Sequence, residues 1–200
     1  DHLTGGRVGW NIVTSYLDSA ARNMGLTRQM AHDDRYELAE EYMEVCYKLW
    51  EGCWEDDAVV RDRARGVFTD PARVHPIAHQ GRHYQVPGIH LCEPSPQRTP
   101  LLYQAGASSR GKSFAGRHAE CVFVNGPTPA IVKGYVDDIR ATAVAEGRDA
   151  ADVLVYAMFT AITAPTRAEA EAKYADYREH VSLDGALALM SGWTGVDLGA

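Results

Sequence analysis

Apolar and polar positions follow two different periods along this chain. From Asp33 to Trp50, apolar residues recur at Tyr36, Ala39, Met43, Cys46, Tyr47 and Trp50. These three- and four-residue steps predict an amphipathic helix. Asp33, Asp34 and Glu37 suit its first turn, where carboxylates meet the positive end of the helix dipole. Gly52 ends it. Short apolar runs predict strands at Arg7 to Ser15, Leu101 to Tyr103, Cys121 to Val124, and Val153 to Thr163. Further helices are expected from Phe114, from Thr128 to about Glu146 with Gly147 closing it, and from Arg167 to about His180. Asp1 to Gly6 reads as the last turn of a helix closed by glycine. Tyr16 to Thr27 reads as a connection, and Ser182 to Met190 has helical character before a glycine-rich end.

Four strands alternating with helices predict an α/β fold with a parallel sheet. A doubly wound sheet and part of a (β/α)8 TIM barrel both fit this order. A full barrel takes about 250 residues, so this chain has room for about four βα units. Much of the remainder is a long insertion, Glu51 to Arg98. It holds Pro71, Pro76, Pro87, Pro94 and Pro96 and only short strand-like pieces such as Arg82 to Val86. A βα unit needs only a short connection, so the insertion is expected to act as a lid or binding loop. Its apolar Phe68, Tyr84, Val86, Ile89 and Leu91 suit the wall of a pocket.

The 200 residues are 46% hydrophobic and 24% charged, ordinary for one globular domain. A net charge of −7 with no basic face argues against nucleic acid as a partner. No apolar run approaches the roughly 18 residues of a membrane span. The chain opens at Asp1, inside what reads as a helix end, and is expected to be a fragment of a longer domain. None of Cys46, Cys53, Cys92 and Cys121 makes a C-x-x-C pair, so reduced thiols and a cytosolic setting are expected. His75, His79, His83 and His90 sit near one another in sequence. Pro76 and Gly81 interrupt any helix there, and no acid or cysteine completes a ligand set, so no metal is expected.

The candidate chemistry centres on Pro100 to Ser113, PLLYQAGASSRGKS. An apolar strand gives way at Gly106 to small polar residues and then to a helix. Such a turn exposes backbone N–H groups beside a helix N-terminus, which suits an anion. Gly106, Ala107, Ser108 and Ser109 form the turn, with Arg110 and Lys112 adding charge. The expected ligand is a phosphorylated cofactor. The same residues match the P-loop pattern G-x-x-x-x-G-K-[ST] letter for letter. A triphosphatase also needs a magnesium-binding acid at the end of a later strand. Here those strands run into Asn125 and Thr160. Ligands in parallel α/β folds sit at the carboxyl ends of strands, which makes Asn11, Thr14 and Ser15 candidates. His32 and Tyr36, four apart at a helix start, share one face. They suit either a phosphate contact or a helix cap and a core ring.

Four stretches together carry a resemblance: DHLTGGRVGWNIVTS from Asp1, HDDRYELAEEYMEVCYKLWEG from His32, HLCEPSPQRTPLLYQAGASSRG from His90 and FAGRHAECVFV from Phe114. They resemble the luciferase-like flavin-dependent monooxygenases. The similar branch is that of nitrilotriacetate, dibenzothiophene-sulfone and long-chain alkane monooxygenases. The resemblance runs essentially from Asp1 to Gly195. It implies a (β/α)8 barrel that takes reduced FMN from a separate flavin reductase. Dioxygen, the co-substrate, would add at the flavin C4a position to give a (hydro)peroxide that oxygenates a small organic substrate. The substrate would be a long-chain alkane, an organosulfur compound or an aminopolycarboxylate, a xenobiotic-degrading role. Motif matches imply that Ser15, His32, Tyr36, Gly106, Ala107, Ser108 and Ser109 contact FMN. Asn11 would lie on the ring or substrate side. Tyr16 stands where the alkane enzymes carry a histidine proposed for their substrate pocket. No catalytic residue is assigned. The resemblance gives Lys112 no role and makes the P-loop match a coincidence. It also implies a homo-oligomer at full length, and leaves a non-catalytic flavin-binding fragment as the alternative for these 200 residues.

Overall fold

The computed structural model describes residues 1–106, 108–194 and 198–199, with the backbone alone at 192–194. The chain divides into two compact units, Asp1–Thr14 with Ala31–Ala157, and Ser15–Met30 with Met158–Ala200.

The first unit is built on a four-stranded parallel sheet. Its strands are β1 (Gly9–Ile12), β6 (Leu101–Ala105), β7 (Cys121–Val124) and β8 (Leu154–Ala157), in that order. The α/β class and the parallel sheet are as expected. The strands are shorter than the apolar runs. β1 ends at Ile12, opposite Gln104, one residue before β6 ends at Ala105. Val153 to Thr163 yields strand only at Leu154–Ala157.

Alternate residues of these strands face opposite sides. Ile12 and Leu102 pack with Tyr36 and Met43 of α2 (His32–Tyr47) and with Phe114 of α3 (Ser109–His118). Val122 and Val124 pack with Ala115 of α3 and with Ile139 and Ala143 of α4 (Pro129–Ala145). The three helices thus cover one face. On the other face, Tyr103 stacks on Phe123 at 5.6 Å, and Phe123 meets Tyr156 at the same separation. Asn11, in register with Tyr103, belongs to this face.

α3 begins five residues before Phe114, the expected start. Ser108 caps it, its Oγ accepting the Gly111 N–H at 3.0 Å. The polar run that reads as loop is therefore the first helical turn. α2 runs on into a π-helical turn, Lys48–Gly52.

The insertion is more ordered than its prolines suggest. It forms two antiparallel ladders, β2 (Val59–Asp62) with β3 (Val67–Thr69) and β4 (His79–Gln80) with β5 (Gln85–Val86). Cys53, Trp54 and Ala58 give it a small core. Its anchors run along α2 and to the amino ends of the strands. Glu41 accepts the N–H groups of His83 and Tyr84 at 2.9 and 2.7 Å, and Arg82 pairs with Glu37. Gln97 donates to the Val8 carbonyl, just before β1. This stretch braces the outside of α2 and the end of the sheet opposite the Gly106 turn.

In the second unit, α1 (Asp18–Asn23) occupies part of what reads as a connection. Asp18 accepts the Gln29 N–H at 2.8 Å and closes that segment on itself. α5 (Arg167–Glu179) opens with a capping box between Thr166 and Glu169, and α6 is Leu183–Thr194. Among the described residues no helix is long and apolar enough to cross a membrane.

Candidate anion site at the start of α3

β6 delivers the chain to the turn and α3 carries it away. Gly106 has φ 157°, a backbone that side-chain-bearing residues rarely adopt. Beyond it, Ser109 and Arg110 occupy the first two positions of α3. By helix geometry their N–H groups have no acceptor within the helix. Those donors and the helix dipole make an anion-binding end.

α2 supplies the other wall. Tyr36 is buried, its ring 5.6 Å from that of Phe114 and 5.1 Å from that of His32. A Cβ on Gly111 would lie 2.8 Å from the Tyr36 phenolic oxygen, and one on Gly106 would lie 3.4 Å from it. Tyr36 therefore presses its hydroxyl against the cradle, and glycine at 111 is what lets it approach. The structure brings Tyr36, Gly106, Ser108 and Ser109 together, with the His32 ring tilted against Tyr36. His32 is half-exposed, and its Nδ1 lies 2.7 Å from Asp33.

Other expected residues fall elsewhere. Asn11 is on the opposite face of the sheet. Ser15 and Tyr16 belong to the second unit. Ser15 lies three residues past the end of β1 and has φ 60°, a left-handed backbone unusual for serine. Ala107 lies outside the described residues. Lys112 does not turn back toward Gly106 as a P-loop lysine must. Its ammonium pairs with Asp138 on α4.

Sequence reasoning misses several polar groups here. Gln104 is 2% exposed; its Nε2 donates to the Ala105 carbonyl at 3.1 Å and to the Tyr36 oxygen at 3.4 Å. Glu40 on α2 holds α3 by accepting from Arg117 at 3.0 Å, and lies 2.8 Å from His118 Nε2. Burial pushes the Glu40 carboxyl up, but hydrogen bonding and charge from His118 and Arg117 outweigh it and hold the group below its ordinary range. Tyr47, whose hydroxyl is 3.0 Å from His118 Nδ1, is pushed up to about 12, chiefly by burial. With Glu41, Glu44, His79 and Arg110 these groups line a concavity of about 680 Å³ outside the helix layer. Among the described residues Arg110 makes no ion pair within 4 Å, and it lines this acidic concavity.

Residues 1–194 match the luciferase-like monooxygenases as a family. The chain belongs to that family. The luciferase-like chain is 55% identical to dimethyl-sulfide monooxygenase of Hyphomicrobium sulfonivorans over 98% of its own length and 41% of that protein. It is 52% identical to long-chain alkane monooxygenase of Geobacillus thermodenitrificans, covering 99% of itself and 45% of the relative. The crystal structure of a riboflavin lyase with modified FMN and riboflavin superposes with a TM-score of 0.92 at 44% identity, over 100% of this chain and 44% of that one. The chain thus spans less than half the length of the curated relatives it matches. Membership in the luciferase-like family leaves the P-loop reading without support.

Proposed function

We propose that the protein is an FMN-dependent monooxygenase and that the cradle at the start of α3 takes the FMN phosphate. The geometry of the cradle carries this reading. A buried phenol, a glycine turn and two helix-end N–H groups converge where a Cβ at 106 or 111 would intrude. This donor set fits a phosphate. Ser108 can still donate its hydroxyl hydrogen while its oxygen caps α3. Ser15, His32, Ala107 and Ser109 join the phosphate contacts, and Asn11 and Tyr16 the substrate side, on the resemblance. The parallel sheet with helices on one face supports part of a (β/α)8 barrel, whose lumen would be the face of Asn11, Tyr103, Phe123 and Tyr156.

When bound, reduced FMN supplies the electrons that activate dioxygen. The chain's part is to bind and orient it: Tyr36 and α3 fix one end, and the aromatic face gives the ring and substrate an apolar wall. A separate flavin reductase, a homo-oligomeric assembly and a cytosolic setting belong to the same proposal. The component naming of the related nitrilotriacetate enzyme supports the first, and four free thiols support the last. The substrate class is a small organosulfur compound, alkane or aminopolycarboxylate, by analogy with the relatives.

The test is oxygen uptake by the intact protein with NADH, FMN and a flavin reductase. Uptake that depends on dimethyl sulfide or a long-chain alkane, with oxygenated product, is expected. Flavin binding with no substrate-dependent uptake across the three classes would defeat the monooxygenase reading and leave a flavin-binding module.

A further inference from the structure

We propose that Gln104 is a positioning residue that turns the Tyr36 hydroxyl outward as a hydrogen-bond donor to the cofactor phosphate. The inference rests on the FMN reading above and adds a residue to it.

Gln104 is an amide on the helix-covered face of a parallel strand, where Leu102, Val122 and Val124 are all apolar. At 2% exposure its amide is cut off from solvent, and any partner must come from the protein. Its orientation is fixed by Ala105. The Ala105 carbonyl can only accept, so the amide atom 3.1 Å from it is the nitrogen. The same nitrogen lies 3.4 Å from the Tyr36 oxygen. Tyr36 therefore accepts from Gln104, and its own hydrogen is left to point away from β6. The phenol lies against Gly111 in the first turn of α3, whose leading N–H groups, at Ser109 and Arg110, are donors and cannot accept it. An anion lodged there would.

The arrangement has a visible cost. Gln104 Oε1 is buried with no partner among the described residues. A flipped amide would give that oxygen the Tyr36 hydrogen, but it would set two acceptors against each other at Ala105 and turn the phenol inward. An unpaired buried acceptor costs stability. The native orientation bears that cost and keeps Tyr36 a donor. Gly106 belongs to the same device, because a Cβ there would come within 3.1 Å of the amide nitrogen.

Binding of FMN and of riboflavin, which lacks the phosphate, separates this role from a purely structural one. Both are measured by fluorescence quenching on the intact protein, in Gln104→Met and in Tyr36→Phe, singly and together. Loss of one such hydrogen bond weakens binding by about tenfold. Gln104→Met should therefore weaken FMN by about that factor and leave riboflavin within about twofold. The loss should vanish in the Tyr36→Phe background. Equal weakening of both ligands, no weakening, or the same loss without the Tyr36 hydroxyl overturns the proposal. If Tyr36→Phe alone leaves the preference for FMN intact, the phosphate reading of Tyr36 falls first. Should Gln104→Met not fold, the Raman difference between wild type and Tyr36→Phe decides. It reports whether the ligand-free phenol accepts or donates toward the protein, and a phenol that only donates overturns the proposal.

Discussion

A Cβ on Gly111 would sit 2.8 Å from the Tyr36 oxygen and 3.0 Å from Ser108 Oγ. Neither atom can retreat easily, since one belongs to a buried ring and the other caps α3. Gly111→Ala is expected to cost about 1–3 kcal/mol of stability, as overpacking does, and to weaken FMN binding; thermal unfolding and flavin titration check it. Ser108 separates folding from binding. Ser108→Ala should cost about 1 kcal/mol through loss of the cap. Ser108→Asp keeps a good cap and favours the helix dipole, so stability should hold, while the added charge repels the phosphate. Unchanged flavin affinity in the Ser108→Asp variant would remove the phosphate from this turn. His32, Tyr36, Gly106 and Ser108 are legible because helix starts and glycine turns leave marks in sequence. Gln104 is not, because a glutamine among apolar strand residues carries no period that tells a buried amide from a solvated one.

α2 serves three neighbours with different stripes of one helix. Tyr36 and Met43 face the sheet, Glu40 faces α3, and Glu37 and Glu41 hold the insertion. The sequence shows the apolar stripe but not what the acidic stripes touch. They read as a solvated face until the insertion is placed against them. The Glu41 carboxylate is the test of that brace. Burial pushes it up, but the hydrogen bond from His79 and the N–H groups of His83 and Tyr84 bring it from 4.5 to about 2. A carboxylate depressed on folding stabilises the fold above its unfolded pKa and loses that contribution as pH falls toward the folded one. Protection of β4 and β5 against hydrogen exchange should therefore weaken between about pH 4.5 and 2. Glu41→Gln should weaken it at neutral pH and flatten that dependence. Lys112 is a smaller matter of the same kind. Its pair with Asp138 ties α3 to α4, and Lys112→Ala is expected to cost about 0–1 kcal/mol and leave oxygenation intact. An abolished activity would return the lysine to the site.

At the scale of the whole molecule, the two faces of the parallel sheet have different fates. One is sealed by α2, α3 and α4. The other shows Tyr103, Phe123 and Tyr156 in a contiguous aromatic row, with Leu154 50% and Tyr156 45% exposed. β1 and β8 are also edge strands within their sheet, each with one neighbour. Exposed edges and contiguous apolar surface are what folded monomers avoid. The alternation that buries Val122 and Val124 fixes this: a two-residue period must place Phe123 on the other side. The strand–helix order made that layering legible, whereas the bracing role of the insertion needed side-chain contacts the sequence does not display. The relatives carry more than twice the length of this chain, and further strands would cover such a face. The 200 residues expressed alone should therefore light up an apolar dye such as ANS and self-associate in sedimentation. Charged replacements at Leu154 and Tyr156 should reduce both effects without unfolding α3 or α4, whose core lies on the sealed side. The intact protein should bind little dye until those residues are uncovered by denaturant. A monomeric, dye-dark 200-residue chain would show that the aromatic face is stable in water by itself, and that it is no lumen waiting for the rest of a barrel.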